Sequence, residues 1–308
     1  MPLLRVEDVW KTYPDGTTAV RGVTFEADRG IVMLMGPNGS GKTTTLEMIA
    51  GALRPSKGRI VVCGHDMWSG PRLPPRRCIG YSPQEPPRVR NLTVLEYLVW
   101  TGLLRGMGFR EAGRRARRLL DTVGLEAHAS KRPTQLSGGM RKRLIIASAL
   151  MGDPRILVLD EPTSGLDPAA RRELWTLVRR LSGDRLVVAS THIAVDAEEH
   201  ADKVLIFYKG RIAAEGPPER LIKQYAPPAS ILVRLEEPLE SPPGTLGGAR
   251  LSQREGEMLR YSSEDPDRDL PAVVEGLTRL GARVRSLTLS RPGLAEVYLR
   301  LTGSSLAG

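Results

Sequence analysis

Residues 36–43 read Gly-Pro-Asn-Gly-Ser-Gly-Lys-Thr and follow directly on a wholly apolar run, Ile31-Val32-Met33-Leu34-Met35. Such a run predicts a strand buried on both faces, as in a mostly parallel sheet. Beyond the loop the apolar positions take up a helical period at Leu46, Ile49 and Ala50. A strand, a glycine turn and a helix in that order commit the chain to an α/β fold carrying a phosphate-binding loop. Gly36, Gly39 and Gly41 allow the backbone N–H groups to turn towards an anion, with Pro37, Asn38 and Ser40 between them. The helix N-terminus adds partial positive charge. Lys42 is expected to reach the β- and γ-phosphates of a nucleotide, the Thr43 hydroxyl to ligate Mg²⁺, and Thr44 to complete the binding segment.

A second apolar strand, Ile156-Leu157-Val158-Leu159, delivers Asp160 and Glu161 at its C-terminal end. Functional residues of open α/β sheets lie at that edge. Asp160 is placed to hold Mg²⁺ through water, and Glu161 to orient or deprotonate an attacking water. Between loop and acidic strand, Leu136-Ser137-Gly138-Gly139-Met140 opens a helix with Leu144, Ile145, Ser148 and Met151 on one face, and Gly152-Asp153-Pro154 stops it. A serine and two glycines at a helix start form another anion site. One nucleotide hardly needs two such helix ends from one chain, which implies that two copies enclose the ATP.

With these motifs in this order, the chain resembles the ATP-binding cassette (ABC) ATPases over about residues 3–225. The resemblance implies roles for further residues. Tyr13 is similar to the family's adenine-stacking aromatic. Gln84 matches the glutamine that contacts Mg²⁺ or the lytic water and senses the transporter. Asp167, in Ser164-Gly165-Leu166-Asp167, belongs with Ser137, Gly138 and Gly139 to the segments that touch the opposing site. His192 matches the histidine that contacts the γ-phosphate and joins Glu161 and Gln84 in the catalytic set. One position departs from the pattern, since Met140 stands where the family most often has Gln. The Ser and Gly groups remain, so an altered rate is expected; an asymmetric pair, with a different cassette providing the better site, stays open.

The implied fold is a P-loop NTPase cassette with a mostly parallel sheet. An N-terminal antiparallel β layer (3–9 and 17–27), a helical subdomain at about 85–150, a late hairpin (205–213) and a closing helix (221–225) complete domain 1–225. After Pro227-Pro228 a small α+β domain is expected over 226–308. Its parts are strands at 231–235, 258–261 and 284–289, helices at 270–280 and 294–301, and a Pro/Gly-rich connection at 238–248. The ending from Pro292 to Gly303 is similar to that of drug-resistance-type exporter ATPases with separate membrane subunits. This domain shows no catalytic constellation.

Composition bounds the rest. The 308 residues contain one phosphate loop and one Leu-Ser-Gly-Gly segment, hence a single cassette. No run approaches the roughly 20 apolar residues that span a bilayer. No basic-then-apolar leader opens the chain, and two cysteines fit a reducing cytoplasm. Cys63, His65 and Cys78 match no standard zinc spacing, and His192 and His200 with Glu198 and Glu199 lack the zinc-protease pattern. Residues 72–118 hold eleven Arg against three Glu, a net +8 of the chain's +10. Leu95, Leu98, Val99, Leu103 and Leu104 predict an apolar helix face there, and Arg114–Arg118 a basic one. That basic face is either simply solvated or meets an acidic partner or anionic lipid.

The expectation is an ATP-hydrolysing subunit working with Mg²⁺, as a homodimer or heterodimer of cassettes. It would be peripheral on the cytoplasmic face of the membrane through a separate transmembrane permease, working in export. The competing class is a soluble cassette acting on nucleic acid or ribosomes, to which the basic balance lends weight. Against it stand the absence of a coiled-coil insertion, of zinc modules and of a second cassette. A non-hydrolysing regulatory cassette is a third class.

Overall fold

The computed structural model describes residues 2–69, 73–85 and 91–306. Arg72, Arg88 and Arg90 of the arginine-rich stretch lie outside them. Two compact units divide the chain. The first runs to Leu221 and includes Ser304, and the second spans Ile222–Gly303.

The first unit opens with β1 (Leu4–Thr12) and β2 (Thr18–Ala27), followed by β3 (Gly30–Met35), α1 (Lys42–Ile49), β4 (Lys57–Val62) and β5 (His65–Asp66). Next come α2 (Leu73–Arg77), β6 (Ile79–Ser82), α3 (Val94–Leu104), α4 (Phe109–Thr122), α5 (Gly138–Ala149), β7 (Ile156–Leu159) and α6 (Pro168–Leu181). The unit closes with β8 (Leu186–Thr191), α7 (Ala194–His200), β9 (Lys203–Tyr208), β10 (Arg211–Gly216) and the start of α8 (Pro218–Tyr225).

These strands make two sheets. One, ordered β2-β1-β4-β5, is antiparallel and is the N-terminal layer the sequence predicts. The other, ordered β10-β9-β3-β8-β7-β6, is parallel except for β10 at one edge. The inner parallel strands β7 and β8 are buried at every position and contain no alternation. That burial requires layers on both faces, and it explains why they read as plain apolar runs. One difference from the sequence expectation has a local cause. The antiparallel layer gains β4 and β5, which were not anticipated because only Ile60 and Val62 of β4 are buried. The late hairpin forms as expected from β9 and β10, and β9 also pairs in parallel with β3, which joins it to the main sheet.

Between β6 and β7 the chain builds its helical region. A Thr93–Glu96 capping box starts α3, satisfying end groups that would otherwise stay unpaired. The expected one-sided apolar face of α5 is instead buried all round from Leu144 to Ala149, because α5 packs on β6, α3, α4 and α6. Conversely, the apolar face predicted for α3 is only partly covered. Leu98 is buried, but Leu103 is 41% and Leu104 67% exposed. The basic stretch of α4 also divides, since Arg115 turns inward to the Leu150 carbonyl and Asp153. His200, expected on a solvated helix, stacks on the buried Trp175 ring at 5.5 Å.

The second unit holds β11 (Ala229–Leu235), β12 (Thr245–Leu246), β13 (Ala249–Glu255), β14 (Met258–Ser263), α9 (Pro266–Arg279), β15 (Val284–Ser290) and α10 (Leu294–Thr302). Its antiparallel sheet runs β12-β13-β14-β11-β15 with α9 packed against it. Ile231, Val233, Leu235, Leu259, Tyr261 and Val273 form its core. β12 and β13 are strands the sequence reading omits: β12 has two residues and lies inside the expected connection 238–248, and six of the seven residues of β13 are at least partly exposed, so no apolar pattern betrays them. The helix begins at Pro266, before the expected 270, because Asp265 caps it and proline is tolerated in a first turn. Asp269 is buried, accepting hydrogen bonds from Ser263 Oγ at 2.7 Å and the Gly248 N–H at 2.9 Å. These bonds, led by the one from Ser263, hold its carboxyl below the usual range.

Gly80 in β6 tests how tightly the first unit is packed. A Cβ there would run into the Ala149 carbonyl at the end of α5 and lie 2.8 Å from Pro154 Cγ. Gly80→Ala is expected to destabilise the chain by about 1–3 kcal/mol, as overpacking does, read as a lower midpoint in urea unfolding. An unchanged midpoint would mean that α5 and β6 are not held this closely.

Candidate active site

The loop after β3 is shaped by what crowds it. A Cβ on Gly36 would stand 2.5 Å from the Phe207 carbonyl and 2.8 Å from the Ser40 hydroxyl. Gly41, at φ 103°, caps α1 in the left-handed region that favours glycine. Lys42 is only 3% exposed, and its Nζ donates to the carbonyls of Gly36 (2.8 Å) and Pro37 (2.9 Å). It also lies 3.9 Å from Glu161 Oε1. Burial pulls the lysine's pKa down, against the opposing pull of Glu161 and Asp160.

The acidic pair meets this loop from β7. Thr43 Oγ1 donates to Asp160 Oδ1 at 3.1 Å, and Ser190 Oγ donates to the same oxygen at 2.6 Å. Asp160 Oδ2 is buried without a hydrogen-bond partner, and burial raises the carboxyl's pKa. A buried oxygen aimed at nothing in the chain, beside a threonine hydroxyl, is a donor set suited to a hard divalent cation completed by water and phosphate oxygens. Among the described residues, no group of three or more His, Cys, Asp and Glu could hold a metal alone.

Glu161 sits at φ 43°, a left-handed conformation unusual for a non-glycine residue. Its N–H donates to Ser190 Oγ at 2.8 Å. Its carboxylate is shared: His192 Nδ1 lies 3.2 Å from Oε1, and Gln84 Nε2 donates to Oε2 at 3.3 Å. Tyr13 stands nearby with its hydroxyl 3.3 Å from Thr44 Oγ1. The loop, Gln84 and Glu161 line a cleft of about 630 Å³. Thus residues 36–44, Gln84, Asp160, Glu161, His192 and Tyr13 come together on one edge of the sheet.

The remaining predicted residues form a separate group. Ser137 caps α5, accepting from the Met140 N–H at 3.3 Å, and it is exposed with Gly138. Asp167 caps α6, and the Ala170 N–H that bonds it helps keep its carboxyl below the usual range. The two helix starts adjoin: a Cβ on Gly138 would meet Leu166 at 3.6 Å, and one on Gly139 would meet Ala170 at 3.5 Å. Neither Asp167 nor Ser137–Gly139 lines the cleft of the loop.

Three contributors escaped the sequence reading. Ser190 is marked there only by a hydroxyl interrupting an apolar strand. Arg21 and Lys209 line the cleft, the former from β2 and the latter from the turn between β9 and β10, and neither carries a motif. Elsewhere, the Cys63 thiol is pushed up to about 12 by burial and by a hydrogen bond with Cys78. Ser190→Ala should leave the Glu161 N–H unsatisfied and cost about 1–3 kcal/mol, with turnover falling alongside the unfolding midpoint. If both stayed at wild-type values, the hydroxyl would not be what holds the acidic pair.

The chain is similar to known proteins in sequence and in fold. The family profile described as ABC transporter matches residues 20–164. The chain is 36% identical to the daunorubicin/doxorubicin resistance ATP-binding protein DrrA of Streptomyces peucetius, over 94% of this chain and 89% of that one. It is also 36% identical to a Nod factor export ATP-binding protein I of Burkholderia lata, over 99% of both. A dimeric ATP-binding cassette solved in a post-hydrolysis state with ADP and Pi superposes with a TM-score of 0.63 at 28% identity, covering 70% of this chain and 98% of that one. The chain belongs to the ABC transporter family, as an ATP-binding, ATP-hydrolysing P-loop cassette.

Proposed function

We propose that this chain powers export through a separate transmembrane subunit, and that its own residues divide between two halves of a composite ATP site. The observation that carries the catalytic part is the Glu161 carboxylate, held between Lys42, Gln84 and His192 beside the phosphate loop. ATP lies with its adenine on Tyr13 and its phosphates in the loop 36–44. Lys42 leaves the Gly36 and Pro37 carbonyls for the β- and γ-phosphate oxygens. Glu161 orients the attacking water and accepts its proton, while His192 donates to a γ-phosphate oxygen. Phosphoryl transfer of this kind rests on positioning and charge stabilisation, with little covalent chemistry for the protein to do. Mg²⁺, when bound, neutralises charge developing on the phosphate oxygens, and Thr43, Asp160 and Gln84 are the residues that would hold it.

The separation of Ser137–Gly139 and Asp167 from the loop supports a two-cassette arrangement. The exposed start of α5 at Ser137 and Gly138 suits the γ-phosphate bound by a second cassette, identical or related. Closure then draws its energy from contacts that exist only with ATP between the chains.

The partner side has its own physical support. No helix among the described residues is long and apolar enough to cross a membrane. The α3–α4 face leaves Trp100 at 44% and Phe109 at 72% exposed. With Leu95, Val99 and Leu103 these line a groove of about 550 Å³ rimmed by Arg110, Arg114 and Arg117. Its occupant is a cytoplasmic segment of the permease, apolar where it enters and acidic at its flanks, which would hold the cassette on the inner face of the cell membrane. The names of the two relatives above, a drug-resistance protein and an export protein, favour export over import.

Glu161→Gln is expected to lower turnover about 10²–10⁴-fold while ATP accumulates on a stable dimer; turnover near wild type would remove Glu161 from this role. Lys42→Ala should abolish tight ATP binding in equilibrium titrations, and unaltered affinity would contradict the loop assignment. An affinity pull-down from detergent-solubilised membranes tests the partner. A polytopic membrane protein should co-purify with the wild-type chain and be lost from Phe109→Asp. Recovery of ribosomes or nucleic acid instead would favour the soluble cassette class.

A further inference from the structure

Lys142 lies on the first turns of α5, five residues beyond Ser137. Its Nζ donates to the Gln84 carbonyl at 3.0 Å and to the Glu161 carbonyl at 3.2 Å. One ammonium group therefore joins three stretches of chain: the helix that begins with Ser137–Gly139, the segment just past β6, and the turn just past β7. Both carbonyls belong to residues whose side chains meet at the Glu161 carboxylate.

The bonds matter most at Glu161. A left-handed non-glycine residue costs of order 1–3 kcal/mol and persists only where its surroundings over-determine it. Here the N–H is fixed by Ser190, and the C=O accepts from Lys142 and from the Ser164 N–H at 3.2 Å. The peptides on either side of the residue are thus tied, one to β8 and the other to α5. Partial burial disfavours the charged form of Lys142, against the opposing pull of the Glu161 and Asp160 carboxylates. The backbone carbonyl of Gln84 is the group of that segment bonded to α5, while its side chain reaches the Glu161 carboxylate.

We propose that Lys142 is a positioning residue for hydrolysis: it locks the Gln84 and Glu161 backbones to the signature helix, so that the half-site this chain offers to a second cassette stays in register with its own catalytic carboxylate. The proposal deepens the composite-site reading above and rests on it. A displacement of α5 when Ser137–Gly139 engages another chain's nucleotide passes through Lys142 to the backbone of Glu161. Loop 36–44, which binds the phosphates in the same chain, receives no bond from Lys142.

The test replaces Lys142 with Met, which keeps the stem and removes the donors, and with Arg, which keeps charge and donors. Lys142→Met is expected to lower kcat about 10–100-fold, the scale of a misplaced catalytic group. KM for ATP, equilibrium ATP affinity and the unfolding midpoint should remain near wild type, and Lys142→Arg should recover most of the lost kcat. An unchanged kcat in Lys142→Met, or a loss matched by equal losses of ATP affinity and stability that Arg does not repair, would overturn the proposal. Glu161→Gln measured alongside separates the two levels. If it retained turnover, the catalytic reading itself would fail and take this inference with it. If it lost turnover while Lys142→Met did not, the Lys142 assignment alone would fall.

Discussion

The Ser190 hydroxyl is the contact on which the site depends. It lies near the end of β8, gives its proton to Asp160 Oδ1 and takes the N–H of Glu161. Adjacent parallel strands bring their carboxyl ends to a common edge, but that alone does not decide how the chain leaves them. A serine next to the end of β7 lets the backbone turn abruptly into the left-handed conformation at Glu161 without stranding its N–H. Asp160 and Glu161 can then face the phosphate loop from neighbouring positions, one paired with Thr43 and the other with Lys42, Gln84 and His192.

Around that contact the first unit separates what must be rigid from what must meet other molecules. The phosphate loop is crowded by Phe207 and Ala19 and has no room for side chains at Gly36 and Gly41. The starts of α5 and α6 lie side by side and away from the loop. The α3–α4 face keeps large apolar groups exposed beneath arginines, an arrangement that water disfavours and a docked segment would relieve. Lys142 spans the interval between the inner site and the outer helix start, which gives the division a physical connection.

Most of the site was legible because its chemistry demands particular residues at fixed spacing. A phosphate cradle needs glycines followed by Lys42 and Thr43, and an acidic pair after an apolar strand has few uses beside such a loop. Other parts were hidden for equally physical reasons. Ser190 and Lys142 each act through a pair of hydrogen bonds to groups distant in sequence, and such bonds impose no local pattern. β13 buries one of its seven residues, so periodicity had nothing to report. The α3 face shows a different limit, since apolar spacing identifies a face without saying whether this chain covers it.

The sequence by itself determined the chemistry and the class: a phosphate loop, a metal-compatible acidic strand end and a second anion-binding helix start, on an α/β chain. Those are matters of residue type and short-range order. Only the tertiary structure decided which groups share a site, that Glu161 is held in a left-handed turn, that Ser137–Gly139 and Asp167 stand apart from the loop, and that one lysine joins two carbonyls across three segments. Strand order and side-chain reach set these relations. They arise between residues dozens of positions apart, where only the packing of the sheet and its helices brings them within a hydrogen bond.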